Sequence, residues 1–182
     1  LWHGADAEDN TAAQAAAQQA AAQQAGAAQR GPAQGGPAQG GSPMAAMEKV
    51  QRLRAYVEEN PQDVDAARQL ANMNYDIGNW QRAGELYERV LEQRPEDVDA
   101  MTDLGACYRN QGRFDDALAL FRKVSEQQPD HWQARFNEVL VLAFDMNDPE
   151  SAGPAIDELK RLQPDNPDVQ RLINEVERRK NS

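Results

Sequence analysis

Four short segments of this chain are versions of one loop: ENPQDVDA ending at Ala66, RPEDVDA ending at Ala100, QPDHWQA ending at Ala134 and QPDNPDV ending at Val169. Their prolines, Pro61, Pro95, Pro129 and Pro164, are spaced by 34, 34 and 35 residues. A period of this length marks an array of units that are each too small to bury an apolar face alone and do so by stacking. The fold must therefore be read one unit at a time.

The unit between Val98 and Pro129 reads most clearly. Met101, Leu104 and Tyr108 fall at i, i+3 and i+7, one apolar stripe of a helix, and Ala117, Leu120, Phe121 and Val124 form a second stripe. Asn110, Gln111 and Gly112 interrupt the helical pattern between them. Gly105 and Ala117 are small where two antiparallel helices must approach most closely, so the unit is expected to be a helical hairpin.

With Met101, Leu104, Gly105, Tyr108, Ala117, Phe121 and Pro129 at these spacings, the segment resembles a tetratricopeptide repeat. The resemblance covers residues 44–180. It implies an all-α, right-handed superhelix of helical hairpins with a C-terminal capping helix. A repeat at 64–97 aligns with the central one at 98–131 without a gap, except that Ala67 replaces a bulky residue and Asn74 replaces the tyrosine. Packing around Asn74 is expected to be looser or to use Tyr75 instead. Residues 44–60, with Met47, Val50, Leu53, Tyr56 and Val57 on one face, read as an orphan helix: the second half of a repeat whose first half is missing or degenerate. Ser42 and Pro43 fit its N-cap and first helical position.

The third repeat, 133–166, is less regular. Aligned straight from Pro129, it places Arg135 and Glu138 on the buried stripe, which is costly without compensation. One extra residue in the preceding loop turns Phe136, Val139, Leu140 and Ala143 inward, followed by Ala152, Ile156 and Leu159. That register leaves Trp132 in the loop, over the seam between the second and third hairpins. Asn147 stands where the turn glycine belongs and tolerates a left-handed backbone. Pro154 requires the next helix to begin late, near Ser151, or to kink. Pro167 opens a last helix, residues 167–180, with Val169, Leu172, Ile173 and Val176 on one side and charged residues elsewhere, as a terminal cap requires. Arg178, Arg179 and Lys180 suit the negative end of its dipole.

Residues 1–43 are of another composition, TAAQAAAQQAAAQQAGAAQ followed by RGPAQGGPAQGGSP, and are expected to form a disordered tail or tether. A chain that begins Leu1-Trp2 rather than with Met admits an upstream signal or anchor, so localisation is left open: soluble as it stands, or tethered to a membrane by a segment before Leu1. The formal charge of −11 disfavours nucleic acid and anionic membrane surfaces as partners of the domain itself. Oligomeric state is not legible.

No catalytic, cofactor or metal site is expected. His3 and His131 lack a second ligand at metal spacing, and the lone Cys107 takes an inward helical position suited to a small apolar residue. The chain has no Gly-rich phosphate loop. The family resemblance implies instead a concave groove lined by the first helices of successive hairpins, which holds a peptide or helix of a partner protein. Carried over position by position, it is formed by Arg68, Asn72, Tyr75 and Asp76, then Thr102, Arg109 and Asn110, then Asn137, Val141 and Phe144, with Asp65, Asp99, Ala106, Ala134 and Asp145 beside them. Arg68 and Arg109 would donate to carboxylate or carbonyl groups, and Tyr75, Val141 and Phe144 would offer apolar contact. In one subclass of the family the groove grips acidic chaperone tails. Arg68 and Asn72 roughly match that clamp, but Asp103, Ala134 and Glu138 do not, so it is disfavoured here. The leading expectation is a non-enzymatic protein-interaction module. The alternative is a bacterial envelope assembly factor or chaperone adaptor, of the cytochrome-maturation or pilus-biogenesis type, with an N-terminal anchor.

Overall fold

The computed structural model describes residues 43–181, and among these every regular element is helical. The expected tether and the Ser42 cap lie outside the described residues. Eight α-helices follow in order: α1 (Pro43–Glu59), α2 (Val64–Asp76), α3 (Trp80–Gln93), α4 (Val98–Asn110), α5 (Phe114–Gln127), α6 (Trp132–Leu140), α7 (Gly153–Leu162) and α8 (Pro167–Lys180). None of them is long and apolar enough to cross a membrane.

The repeated loop starts helices by a repeated device. Asp63 and Asp97 each take an extended backbone and accept a hydrogen bond from the amide three residues on, Ala66 at 2.9 Å and Ala100 at 3.0 Å. His131 Nδ1 accepts from Ala134 in the same way. Each bond satisfies one of the amides that a helix start leaves without an intrahelical partner. The turns that close the first helices need a left-handed residue, supplied by Gly78, Gly112 and Asn147, with φ of 77°, 76° and 54°.

The chain divides into two units near Phe121, within α5. In the described part of the unit that ends at Leu120, α1 packs on α2, α2 on α3 and α3 on α4. Its core holds Val57, Leu70, Ala71, Ala83, Tyr87, Val90, Met101, Leu104 and Cys107. Gly84 lies at the contact of α3 with α4: a Cβ there would make ordinary contacts at 3.7 Å with Cys107 Cβ and Leu104 Cδ1. In the described part of the other unit, α6 packs on α7 and α7 on α8, around Phe136, Val139, Leu140, Ile156, Leu159, Leu172 and Val176.

Two expectations for the third repeat need correction. Helix α6 begins at Trp132, three residues after Pro129, as α2 and α4 begin three residues after Pro61 and Pro95, so the extra residue is not in the loop. It is taken up at the other end, where Val141–Asp145 form a π-helical turn in which the amide of Met146 reaches Val141 O at 2.8 Å. Trp132 accordingly opens the helix and packs edge-on against Phe136, with ring centroids 6.1 Å apart. The straight register does bury Glu138, at 6% exposure, and the compensation comes from Arg122 and Arg135, each 3.0 Å from one of its carboxylate oxygens. Pro154 lies in the first turn of α7, whose late start avoids a kink.

Candidate functional site

In the first unit the expected inner-face residues form a polar network between α2 and the start of α4. Arg68 Nη2 reaches Asp97 Oδ1 at 2.6 Å, and Arg94 Nη1 reaches Asp65 Oδ1 at 2.7 Å. Asp97 therefore caps α4 and holds Arg68 at the same time. Each pairing engages one terminal nitrogen of its arginine. The Arg68 Nε–H remains, buried and without a hydrogen-bond partner. A buried N–H left unpaired is costly.

Beside it, Tyr87 of α3 donates its hydroxyl to Asn72 Oδ1 at 2.7 Å, and Asp103 of α4 hydrogen-bonds to the same hydroxyl. A phenol has one proton to give, so Asn72 Oδ1 and the Asp103 carboxylate compete for it, and the bond to Tyr87 favours the charged form of Asp103. Its carboxyl is pushed up to about 7, first by burial, with Arg68 opposing and Asp99 adding to the rise. Burial also raises the Tyr87 hydroxyl and the Cys107 thiol, the latter helped by the charge of Asp103. Cys107 is thus held as the thiol, a poor nucleophile. A hollow of about 530 Å³ opens over this network, lined by Leu53 and Tyr56 of α1 and by Asp65, Arg68, Gln69 and Asn72 of α2. Tyr56 donates its hydroxyl to Asp63 at 3.1 Å and remains largely open to solvent.

In the other unit, Asn137 donates its Nδ2 to Gln133 O at 2.9 Å, which fixes the amide orientation and leaves Oδ1 buried without a partner. Asn137 comes eight residues after Pro129, as Gln69 and Asp103 come eight residues after Pro61 and Pro95.

The expected groove residues separate by exposure. Asp76 is exposed, and Arg68, Asn72, Asn110 and Asn137 are half-buried. Tyr75, Thr102, Arg109, Val141 and Phe144 are buried. Tyr75 packs edge-on against Trp80, with centroids 4.8 Å apart, and Thr102 and Asn110 bond back to Val98 O and Ala106 O of their own helix. Phe144 is covered by the Arg179 guanidinium at 4.4 Å. The apolar contact expected from Tyr75, Val141 and Phe144 is therefore spent on packing. Sequence reasoning passed over Tyr56, Gln69 and Asp103 as site residues. The eight-residue offset from the loop proline, shared by Gln69 and Asp103, was the signal that could have found the last two. Among the described residues no cluster of three or more His, Cys, Asp or Glu side chains could hold a metal ion.

Family models described as tetratricopeptide repeat match residues 74–139 and 111–176, and a second such model matches residues 41–98. No curated protein matches the chain. Among solved structures, the chain is similar to MamA, at 15% identity and a TM-score of 0.68 over 76% of this chain and 80% of that one. It is also similar to MamA 41-end from Desulfovibrio magneticus RS-1, at 20% identity and 0.67 over 75% and 77%. YrrB, described as a tetratricopeptide-repeat protein with an unusual peptide-binding site, matches at 24% identity and 0.66 over 71% and 66%. At these identities the likeness is one of fold.

Proposed function

Because the chain belongs to the tetratricopeptide repeat family, we propose that it is a non-enzymatic interaction module that holds an extended segment of a partner protein in the hollow beside α2. The observation that carries this reading is the Arg68 Nε–H, a buried donor with no acceptor at the edge of an open concavity. An extended peptide brings backbone carbonyls that satisfy such a donor, and the gain is greatest where the donor is otherwise orphaned. Tyr56 supplies an exposed aromatic surface at the same opening, and Gln69 an exposed amide.

Site-directed photo-crosslinking tests this reading. A photoreactive residue at position 69 is expected to capture a defined partner peptide, identified by mass spectrometry, and Arg68→Lys is expected to cut the adduct yield about tenfold at sub-saturating peptide. The same probe at exposed Gln81, on α3, is expected to capture nothing. Adducts that form at position 81 and not at 69 would overturn the assignment.

A further inference from the structure

Two helix junctions of the first unit, α1–α2 and α3–α4, are built to one plan and filled differently. Between α3 and α4, Tyr108 fills the junction: its hydroxyl donates to Glu88 at 2.6 Å and the Arg113 guanidinium lies 3.8 Å over its ring. Gln111 closes the same junction by donating to Trp80 O at 3.0 Å. One period of 34 residues earlier, between α1 and α2, Asn74 stands for Tyr108, Ile77 for Gln111 and Asn79 for Arg113. The Asn74 side chain does not cross the junction. It turns back to donate to Leu70 O at 2.8 Å and accepts from Asn79 Nδ2 at 3.1 Å.

What Tyr108 fills in one junction is open in the other. A cleft of about 780 Å³ lies there, walled by Met47, Val50 and Arg54 of α1, Met73 and Ile77 of α2, and Arg82 of α3. Met47 and Ile77, which both line it, are each 67% exposed, unusual for large apolar side chains that border one hollow. Two of the rim charges are also reversed, while Asp76, which lines the cleft, stands where the filled junction has Asn110. Arg54 stands where the filled junction has Glu88, and Arg82 stands where it has Asp116. Among the described residues each pairs with an exposed carboxylate one helical turn away, Arg54 with Glu58 and Arg82 with Glu85, and such pairs are weak enough to exchange.

We propose that this cleft is a socket for an aromatic side chain of a partner protein, presented on a segment whose carboxylates flank the ring and meet Arg54 and Arg82. The ring takes the place that Tyr108 occupies one repeat later, and the acidic flanks complement the reversed rim. An aliphatic side chain would leave much of the volume empty, and a basic segment would face two arginines. The socket is independent of the hollow beside Arg68, and either site can fail without the other.

Methyl-labelled full-length chain, with Met and Ile resonances observed by NMR, provides the test. The probe is an acetylated and amidated nonapeptide with one central tryptophan between paired aspartates and glutamates. It is expected to shift the methyls of Met47, Met73 and Ile77. Replacing the tryptophan by alanine is expected to weaken binding at least about tenfold, and replacing the acids by lysines to weaken it about as much. Asn74→Tyr, which closes the socket from within, is expected to abolish binding while raising Tm. Arg54→Glu, an exposed change that leaves the core untouched, decides the matter if Asn74→Tyr fails to fold, and is expected to weaken the acidic peptide about fivefold to tenfold. Equal binding of the alanine peptide, or undiminished binding by Arg54→Glu, overturns the proposal. So does a socket that is already occupied in the free chain, seen as methyl shifts that change with protein concentration or on removal of residues 1–42.

Discussion

Asp103 on α4 hydrogen-bonds to the hydroxyl of Tyr87 on α3, the same hydroxyl that lies 2.7 Å from Asn72 Oδ1. The single phenolic proton cannot serve two acceptors, and burial holds the Asp103 carboxyl up to about 7. Its folded-state pKa is therefore above the ordinary unfolded value near about 4. The stabilisation of the protonated form is fully present below pH 4 and is lost as pH rises through 7, because the folded state binds more protons than the unfolded one in that window. Asp103→Asn removes the titration and keeps a donor for Tyr87. It is expected to match the parent near pH 4 and to exceed it by roughly 1–3 kcal/mol at pH 8. Urea unfolding at both pH values checks this, and a constant difference between the two proteins would contradict it.

Arg68 holds Asp97 and is the donor proposed to meet the partner, and the two roles can be separated. Arg68→Ala strands Asp97 and is expected to cost about 1–2 kcal/mol, since the pair is mostly shielded from solvent. Arg68→Lys keeps a cation for Asp97 but has no Nε–H and no planar fork. Its stability is expected to stay within about 1 kcal/mol of the parent while partner affinity falls about tenfold. Thermal melts and binding isotherms on the same samples distinguish the two effects.

The hairpins were legible because loop and stripe recur at 34 residues, and a period constrains every unit that shares it. The loosened junction at Asn74 was legible for the same reason: a missing tyrosine is visible only against a repeat that has one. The third repeat resisted because an extra residue can be absorbed wherever the backbone yields. The charge pattern argued for the loop, since Arg135 and Glu138 looked too polar for a core stripe. The chain instead paired Glu138 with Arg122 and Arg135 and absorbed the residue in a π-turn that no residue type announces. The groove list overstated exposure for a related reason. Helical phase tells which way Tyr75 or Phe144 points, but not whether Trp80 or Arg179 already covers it.

Glu138 offers a direct comparison of a buried charge with its apolar counterpart. Glu138→Ala leaves Arg135, whose Nε–H is already unpaired, without its carboxylate, and is expected to cost about 3–4 kcal/mol. The double change Arg135→Met with Glu138→Leu restores the residues found six and nine positions after Pro95, Met101 and Leu104. It removes the buried pair together with its desolvation cost and is expected to be at least as stable as the parent. Chemical denaturation of both variants settles the ordering, and a double variant weaker than Glu138→Ala would show that the ion pair is structurally required.

Gly84 lies inside α3, where glycine costs a helix about 1 kcal/mol relative to alanine, so some compensating need must keep it small. A Cβ at this position meets Gln111 Nε2 at 3.3 Å and ordinary contacts at 3.7 Å with Cys107 and Leu104. The first is the end of a flexible side chain that can swing away, at the expense of its bond to Trp80 O. The helical gain and the lost hydrogen bond are of similar size, so Gly84→Ala is expected to change stability by less than about 1 kcal/mol. Gly84→Leu has no such outlet, because its further atoms run into the Cys107 and Leu104 side chains in the core of the α3–α4 junction. It is expected to destabilise by about 2–3 kcal/mol. Thermal unfolding of the two variants separates a limit set by one movable amide from a limit set by the core, and equal losses for Ala and Leu would mean that the helices cannot shift there at all.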